Sequence, residues 1–209
     1  MKKRKAIVRR KTKETSIIAS VALDGSGRSR VRTGLRFLDH MLESLAKHGL
    51  FDIELKATGD LDVDTHHTNE DVGIALGEAF KKALGDKKGI RRFADFRAPL
   101  DEALSQTRVT IDVSGRGSCY IHTNAKTKWL EHPALRAKQN SMNYTVADAK
   151  HFLESFASHM GITLHVDFIS GEQPHHVIEA TFKSLARALD LATEMDTRSK
   201  SIPSTKGKL

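Results

Sequence analysis

The chain has 209 residues, of which 39% are hydrophobic and 29% charged, values that suit a globular protein with one sizeable core or two small fused units. No apolar run approaches the length of a membrane span, and a lone cysteine, Cys119, excludes an intrachain disulfide and fits a reducing cytoplasm. The net charge of +8, from 34 basic and 26 acidic residues, leaves an anionic partner open.

Eight of the first thirteen residues are basic: Lys2, Lys3, Arg4, Lys5, Arg9, Arg10, Lys11 and Lys13. This start resembles the front of a signal peptide. The apolar stretch behind it, Ile17 to Leu23, is short, follows Glu14 and lacks a cleavage site, so it reads as a strand. A second basic cluster, Arg198, Lys200, Lys206 and Lys208, closes the chain. Neither cluster comes with a recognition helix or an RNA-binding signature, so both read as solvated surface or phosphate contacts.

In chain order, 6–12 and 16–23 read as paired strands, Asp24-Gly25-Ser26-Gly27 as a turn, and 28–33 as a third strand. A helix is predicted over 37–48, closed by Gly49. A strand at 51–58 follows, then a turn at Gly59-Asp60 and a helix from the mid-60s to about Leu84. Residues 91–101, with Pro99, read as a connector. Strands are predicted at 105–113, 119–123 and 163–169, and helices over 146–160 and from the mid-170s to about Ala192. Residues 124–143 have little apolar periodicity and read as irregular, as does the tail from 199 onward, with Pro203 and Gly207.

Two stretches carry chemistry. Asp64-Thr65-His66-His67-Thr68-Asn69-Glu70-Asp71 and Gln173-Pro174-His175-His176-Val177-Ile178-Glu179 both contain His-His-x-x-Glu and both open an apolar helical pattern. Two histidines and a carboxylate at a helix mouth form a metal-ligand pattern. Neighbouring helical residues point about 100° apart, so the paired histidines face different points. Glu70 lies near His67 (i, i+3) or His66 (i, i+4), and Glu179 has the same choice. The bland alternative, polar residues that satisfy a helix start, weakens when the pattern occurs twice.

The chain is internally duplicated. His40 to His48 and His151 to His159 agree at six of nine positions, and each segment precedes a strand, a turn and the motif. His40 and His151 therefore join the ligand candidates, giving six histidines and two glutamates for two ions. The expected division crosses the halves, with His66, His151, His175 and Glu179 on one ion and His40, His67, Glu70 and His176 on the other. His48 and His159 lie near helix C-termini, where histidine usually meets the last carbonyls. His122, His132 and His165 have no counterpart in the repeat.

With these segments in hand, the sequence closely resembles the imidazoleglycerol-phosphate dehydratase family. The resemblance rests on Arg36 to Leu42, Gly59-Asp60-Leu61 with Asp64 to Asp71, Pro99 to Leu104, Asp112 to Arg116, His175 to Lys183, and Pro203 to Gly207. It covers nearly all of the chain from Thr12 onward. Asn69 and Leu100 depart from expected Val and Met, Gly117 stands where proline is usual, and 118–145 match poorly.

The resemblance implies an α+β fold, a single domain of two fused half-domains at about 1–90 and 91–195, with 196–209 as a tail over the active site. Each half is a small mixed sheet with two helices on one face, and the helices pack between the two sheets. It also implies two Mn2+ ions per subunit, a 24-subunit homo-oligomer with active sites at subunit contacts, and a cytoplasmic enzyme of histidine biosynthesis with no nucleic-acid or membrane partner. Imidazole-rich sites bind zinc, nickel or copper more tightly, so manganese comes from the family alone. The implied reaction is dehydration of imidazole glycerol phosphate to imidazole acetol phosphate, with the substrate imidazolate bridging both ions. Glu14 matches the family's acid/base glutamate. Arg91, Arg116, Ser199, Lys200, Ser204 and Lys206 are the candidates for holding the substrate phosphate. Two other classes compete: a different dinuclear metal enzyme such as a hydrolase, and a nucleic-acid-binding protein using the basic arm.

Overall fold

The computed structural model describes residues 4–112, 114–131 and 144–206. Lys2, Lys3, Val113, His132 and Lys208 lie outside the described residues, as does most of the stretch expected to be irregular. The elements run β1 (Lys5–Lys11), β2 (Thr15–Ala22), β3 (Ser29–Arg32), α1 (Arg36–Gly49), β4 (Asp52–Gly59) and α2 (His66–Leu84), then β5 (Phe93–Leu100), β6 (Ala103–Ile111), β7 (Ser118–His122), α3 (Val146–Met160), β8 (Ile162–Ser170) and α4 (Pro174–Thr193).

The two halves repeat one topology. The first sheet has the order β1-β2-β4-β3 and the second β5-β6-β8-β7; in each, the last pair is parallel and the other pairs antiparallel. Strand periodicity gives each sheet one apolar face. Ile17, Ala19 and Val21 of β2, and Ile162, Leu164, Val166 and Phe168 of β8, are buried, with exposed or part-buried residues between them. The helices cover those faces and lie between the sheets. Across the halves, α1 packs on α4 and α2 on α3.

The α2–α3 contact is close because Gly73 and Gly77 face α3; a Cβ on Gly77 would lie 2.6 Å from the Phe156 carbonyl oxygen. Phe80 of α2 meets Phe51 at 5.0 Å and Phe156 at 5.5 Å between ring centroids, so one aromatic chain joins both halves. Each fully buried phenylalanine contributes about 1.5–3 kcal/mol of transfer free energy.

Two expectations change. Residues 91–101 are not a connector, because β5 runs from Phe93 to Leu100 along β6. It is an edge strand, where Pro99 removes no needed donor. Gly49 does not supply the left-handed closure of α1; Leu50 does, with φ 55°, while a Cβ on Gly49 would strike the Phe51 ring at 2.4 Å. The basic start forms β1, as the strand expected over 6–12 predicts, with Arg4 paired to Asp24 and Arg10 to Asp71. The tail is irregular as expected but tied down: Gly89 N–H donates to Ser201 O at 2.9 Å and Arg92 to Pro203 O at 2.7 Å.

Candidate metal centre

The ligand candidates all lie in the first two turns of their helices, and the local sequence sets those starts. At α1, the Asp39 carboxylate accepts the Thr33 backbone N–H and hydroxyl, both at 2.7 Å, which fixes His40 beside it. At α2, Asp64 accepts the His66 backbone N–H at 3.1 Å. At α3, Thr145 and Asp148 form a capping box. At α4, Pro174 occupies the first turn and Glu102 accepts the N–H groups of Glu172 and Gln173 at 3.1 and 3.0 Å.

Cross-half packing then gathers two groups of three. His40, His175 and Glu179 form one; His66, Glu70 and His151 form the other, each with ligand atoms within 4.8 Å of one another. In the first, Glu179 Oε2 lies 3.3 Å from His40 Nε2 and 3.2 Å from His175 Nε2. In the second, Glu70 Oε2 lies 4.0 Å from His66 Nε2 and 3.9 Å from His151 Nε2, and the two rings stack at 4.3 Å. The repeat maps one group onto the other, and both use the i, i+4 option of the motif. The expected sets of four do not assemble within one chain: Glu70, not Glu179, accompanies His66 and His151, and Glu179 accompanies His40.

The donor set fits a divalent ion. His151 Nε2 is buried and has no hydrogen-bond partner among the described residues, an arrangement that an ion would satisfy. Glu179 is prepared as an anion. Burial pushes its carboxyl up, but Lys183 at 2.8 Å and His40 outweigh this and leave it below its ordinary value.

The second histidine of each motif turns away. His67 and His176 belong to neither His-His-Glu group, in keeping with adjacent helical positions that point about 100° apart. His67 Nδ1 sits 3.0 Å from Asp60 and His176 Nδ1 2.8 Å from Glu102. Asp60 raises the His67 pKa, and His176 with the N–H groups of Glu172 and Gln173 holds Glu102 down to about 2. A third group, Asp101, Glu102 and His176, results. Sequence reasoning missed both carboxylates; Asp60 lies in a turn and Glu102 in a hairpin, with no helical spacing to connect either to its histidine.

Glu14 sits on the β1–β2 hairpin, its Oε2 3.9 Å from His67 Nδ1. The hairpin is held by Asp71, which takes Arg10 and the Thr15 hydroxyl. Asn69, the departure from Val, is buried between α2 and α3: Tyr144 donates to its Oδ1 at 2.8 Å and its Nδ2 donates to Asp148 O at 2.9 Å. Gly117 lets its turn lie against the end of α3, since a Cβ would meet the Ala157 carbonyl at 2.3 Å.

The anion-binding candidates lie elsewhere. Arg91 pairs with Glu194 at 3.1 Å, and Arg116 bonds the Ser114 hydroxyl at 3.0 Å and faces Asp112 at 3.4 Å. Ser204 Oγ accepts the Lys206 N–H at 3.2 Å; Ser199 is half-buried and Lys200 exposed. Arg91 and the tail sit beyond the far ends of α2 and α4. Those helices have 19 and 20 residues, so about 27 Å separates each far end from the histidines at its start. Arg92, which anchors Pro203, went unread in the sequence.

Comparison with known proteins resolves the family. The family model described as imidazoleglycerol-phosphate dehydratase matches residues 33–189. The chain belongs to the imidazoleglycerol-phosphate dehydratase family. It is 52% identical over 206 residues to the imidazoleglycerol-phosphate dehydratase of Thermoanaerobacter sp. (strain X514), covering 99% of this chain and 100% of that one. The enzyme of Prochlorococcus marinus subsp. pastoris is 49% identical over 207 residues, covering 99% of this chain and 96% of its own. Among solved structures, IGPD from Pyrococcus furiosus superposes with a TM-score of 0.77 at 33% identity, covering 97% of this chain and 100% of that one. That from Staphylococcus aureus gives 0.74 at 27%, covering 92% and 98%. Membership makes the chain a hydro-lyase for the dehydration step of histidine biosynthesis, acting on a small molecule, and the His-His-Glu groups are ones that could hold a metal ion. Among the described residues, no helix is long and apolar enough to cross a membrane.

Proposed function

We propose that imidazoleglycerol-phosphate dehydratase chemistry here uses two Mn2+ ions per subunit, held by His40, His66, His67, Glu70, His151, His175, His176 and Glu179. The observation that carries the reading is the pair of mirrored His-His-Glu groups, one with the orphaned buried His151 Nε2. Three ligands leave an octahedral ion short of partners. His67 and His176, outside their own chain's groups, would complete sites of neighbouring copies in the 24-subunit assembly that the resemblance implies. The phosphate candidates support the same composite reading. Beyond the far ends of α2 and α4, about 27 Å from the histidines at those helix starts, Arg91 and the tail are too distant to share a small substrate with them. Arg91, Arg116, Ser199, Lys200, Ser204 and Lys206 therefore serve a site whose metal ligands belong partly to another subunit.

The bound metal would supply Lewis-acid polarisation of the substrate imidazole. The chain's own residues do the remainder. Ligand carboxylates and imidazoles orient the ring, the tail's cations and hydroxyls bind the phosphate, and Glu14 takes the proton from the carbon next to the one that loses its hydroxyl, the proton and hydroxyl leaving together as water. The resulting enol becomes the ketone, with no net redox change.

The test is metal content with turnover. Purified protein should hold about two Mn2+ per subunit and dehydrate imidazole glycerol phosphate while leaving simple esters intact. His66→Ala and His175→Ala should lose ions and activity together. Full turnover by metal-free protein would overturn the dinuclear reading.

A further inference from the structure

Each half carries a glutamate on the hairpin between its first two strands: Glu14 between β1 and β2, Glu102 between β5 and β6. Each hairpin lies next to the second histidine of its half's motif. Their settings differ. Glu14 is half-exposed with its nearest approach to His67 at 3.9 Å, and the His67 Nδ1 is already taken by Asp60 at 3.0 Å. Glu102 is tied at both oxygens: Oε2 accepts from His176 Nδ1 at 2.8 Å, and Oε1 accepts from Glu172 N–H and Gln173 N–H.

We infer that the two hairpin glutamates have divided their labour: Glu14 is left free to move a proton, while Glu102 and Asp60 act as positioning residues that fix His176 and His67 as Nδ1–H tautomers with Nε2 directed outward for a metal ion.

The chemistry follows from the partners. An ionised carboxylate only accepts, so the shared proton lies on Nδ1 and the lone pair on Nε2. A carboxylate behind a ligating imidazole also raises its basicity and locks its rotation. The motif needs this device at its second histidine alone. His66 and His175 face glutamates on their own helices at i, i+4, whereas His67 and His176 pair instead with Asp60 and Glu102. The two halves reach the same end by different means, a turn aspartate in one and a hairpin glutamate in the other. Asp60 therefore releases Glu14 from the orienting task that Glu102 performs.

This rests on the metal-dependent reading above, and the experiment separates the two. Metal-free assembled protein would be titrated with Mn2+ against a competing chelator, for wild type, Glu102→Ala, Glu102→Gln, Asp60→Ala and Asp60→Asn. Each alanine variant should weaken Mn2+ binding about 10- to 100-fold. The amide variants keep an oxygen to accept from Nδ1–H and should lose less. In a His176→Ala background, Glu102→Ala should cause no further loss, because its effect passes through that ring. An equal loss with and without His176 would assign Glu102 to pinning the start of α4 and overturn the positioning role. Normal wild-type binding with unchanged affinity in the variants would overturn it too, leaving the metal reading intact. Wild-type protein that holds no Mn2+ would overturn both.

Discussion

The Arg10 guanidinium meets the Asp71 carboxylate at 2.7 Å, joining the β1–β2 hairpin to the first turns of α2. Thr15 adds its hydroxyl to the same carboxylate at 2.5 Å. Asp71 is buried, so Glu14 at the hairpin tip is held against the metal-ligand helix by a charge with little access to water. Asp71→Ala should destabilise the protein by on the order of 2–3 kcal/mol in urea unfolding, from two lost charge-assisted bonds with a part-exposed Arg10. Turnover should fall further than stability explains, while Mn2+ content persists. Unchanged kcat in the folded fraction would show that the hairpin keeps its place without this tie.

Glu14→Gln keeps shape and removes the proton-transfer group. Turnover should disappear while metal content and substrate affinity survive, as steady-state kinetics and substrate titration would show. Loss of metal in that variant would make Glu14 a ligand instead.

The tail is anchored by two main-chain contacts, to Gly89 and Arg92, and buries little apolar surface. Removing residues 200–209 should leave fold, assembly and metals intact. Affinity for phosphorylated substrate should fall by one or more orders of magnitude, matching one or two lost charge-assisted bonds of about 1.5–3 kcal/mol each. Imidazole ligands without phosphate should bind as before. Equal loss for both ligand types would show that the tail supports the metal centre.

Asp52 clamps the turn before β3 by accepting the N–H groups of Ser26 and Arg28 and the Arg28 side chain. The Arg28 side chain, with these backbone donors, holds the Asp52 carboxyl well below the usual carboxylate range. A depressed carboxyl stabilises the fold above its unfolded pKa, and that stability is lost as pH falls through the lowered value. Thermal melts below about pH 4 should show a smaller acid-induced drop for Asp52→Asn than for wild type, and the variant should be the less stable at pH 7. Parallel acid limbs would remove Asp52 from the account.

Much of this was legible in the sequence because the repeat compares the chain with itself. His40 and His151 gained meaning only by alignment with each other, and the 146–160 helix has the bounds its periodicity predicts. What stayed hidden depends on which surfaces meet. Pro99 disguised β5, since the sequence does not say that a strand lies at an edge. The grouping of ligands turned on α1 packing with α4 and α2 with α3, a choice that no spacing encodes. Asn69 read as an oddity until Tyr144 and the α3 start stood on either side of it.

That helix pairing has a consequence for the chain's ancestry. Exchanging the halves turns α1 into α3 and α2 into α4, so the α1–α4 contact becomes the α3–α2 contact. The same exchange carries His40, His175 and Glu179 onto His151, His66 and Glu70. Self-complementary contacts of this kind are what a two-fold homodimer makes. The chain thus has the geometry of two half-length protomers joined end to end, each lending one histidine to a metal group built on the other. Neither half completes such a group alone, and the two hairpin glutamates, Glu14 and Glu102, mark where the halves differ.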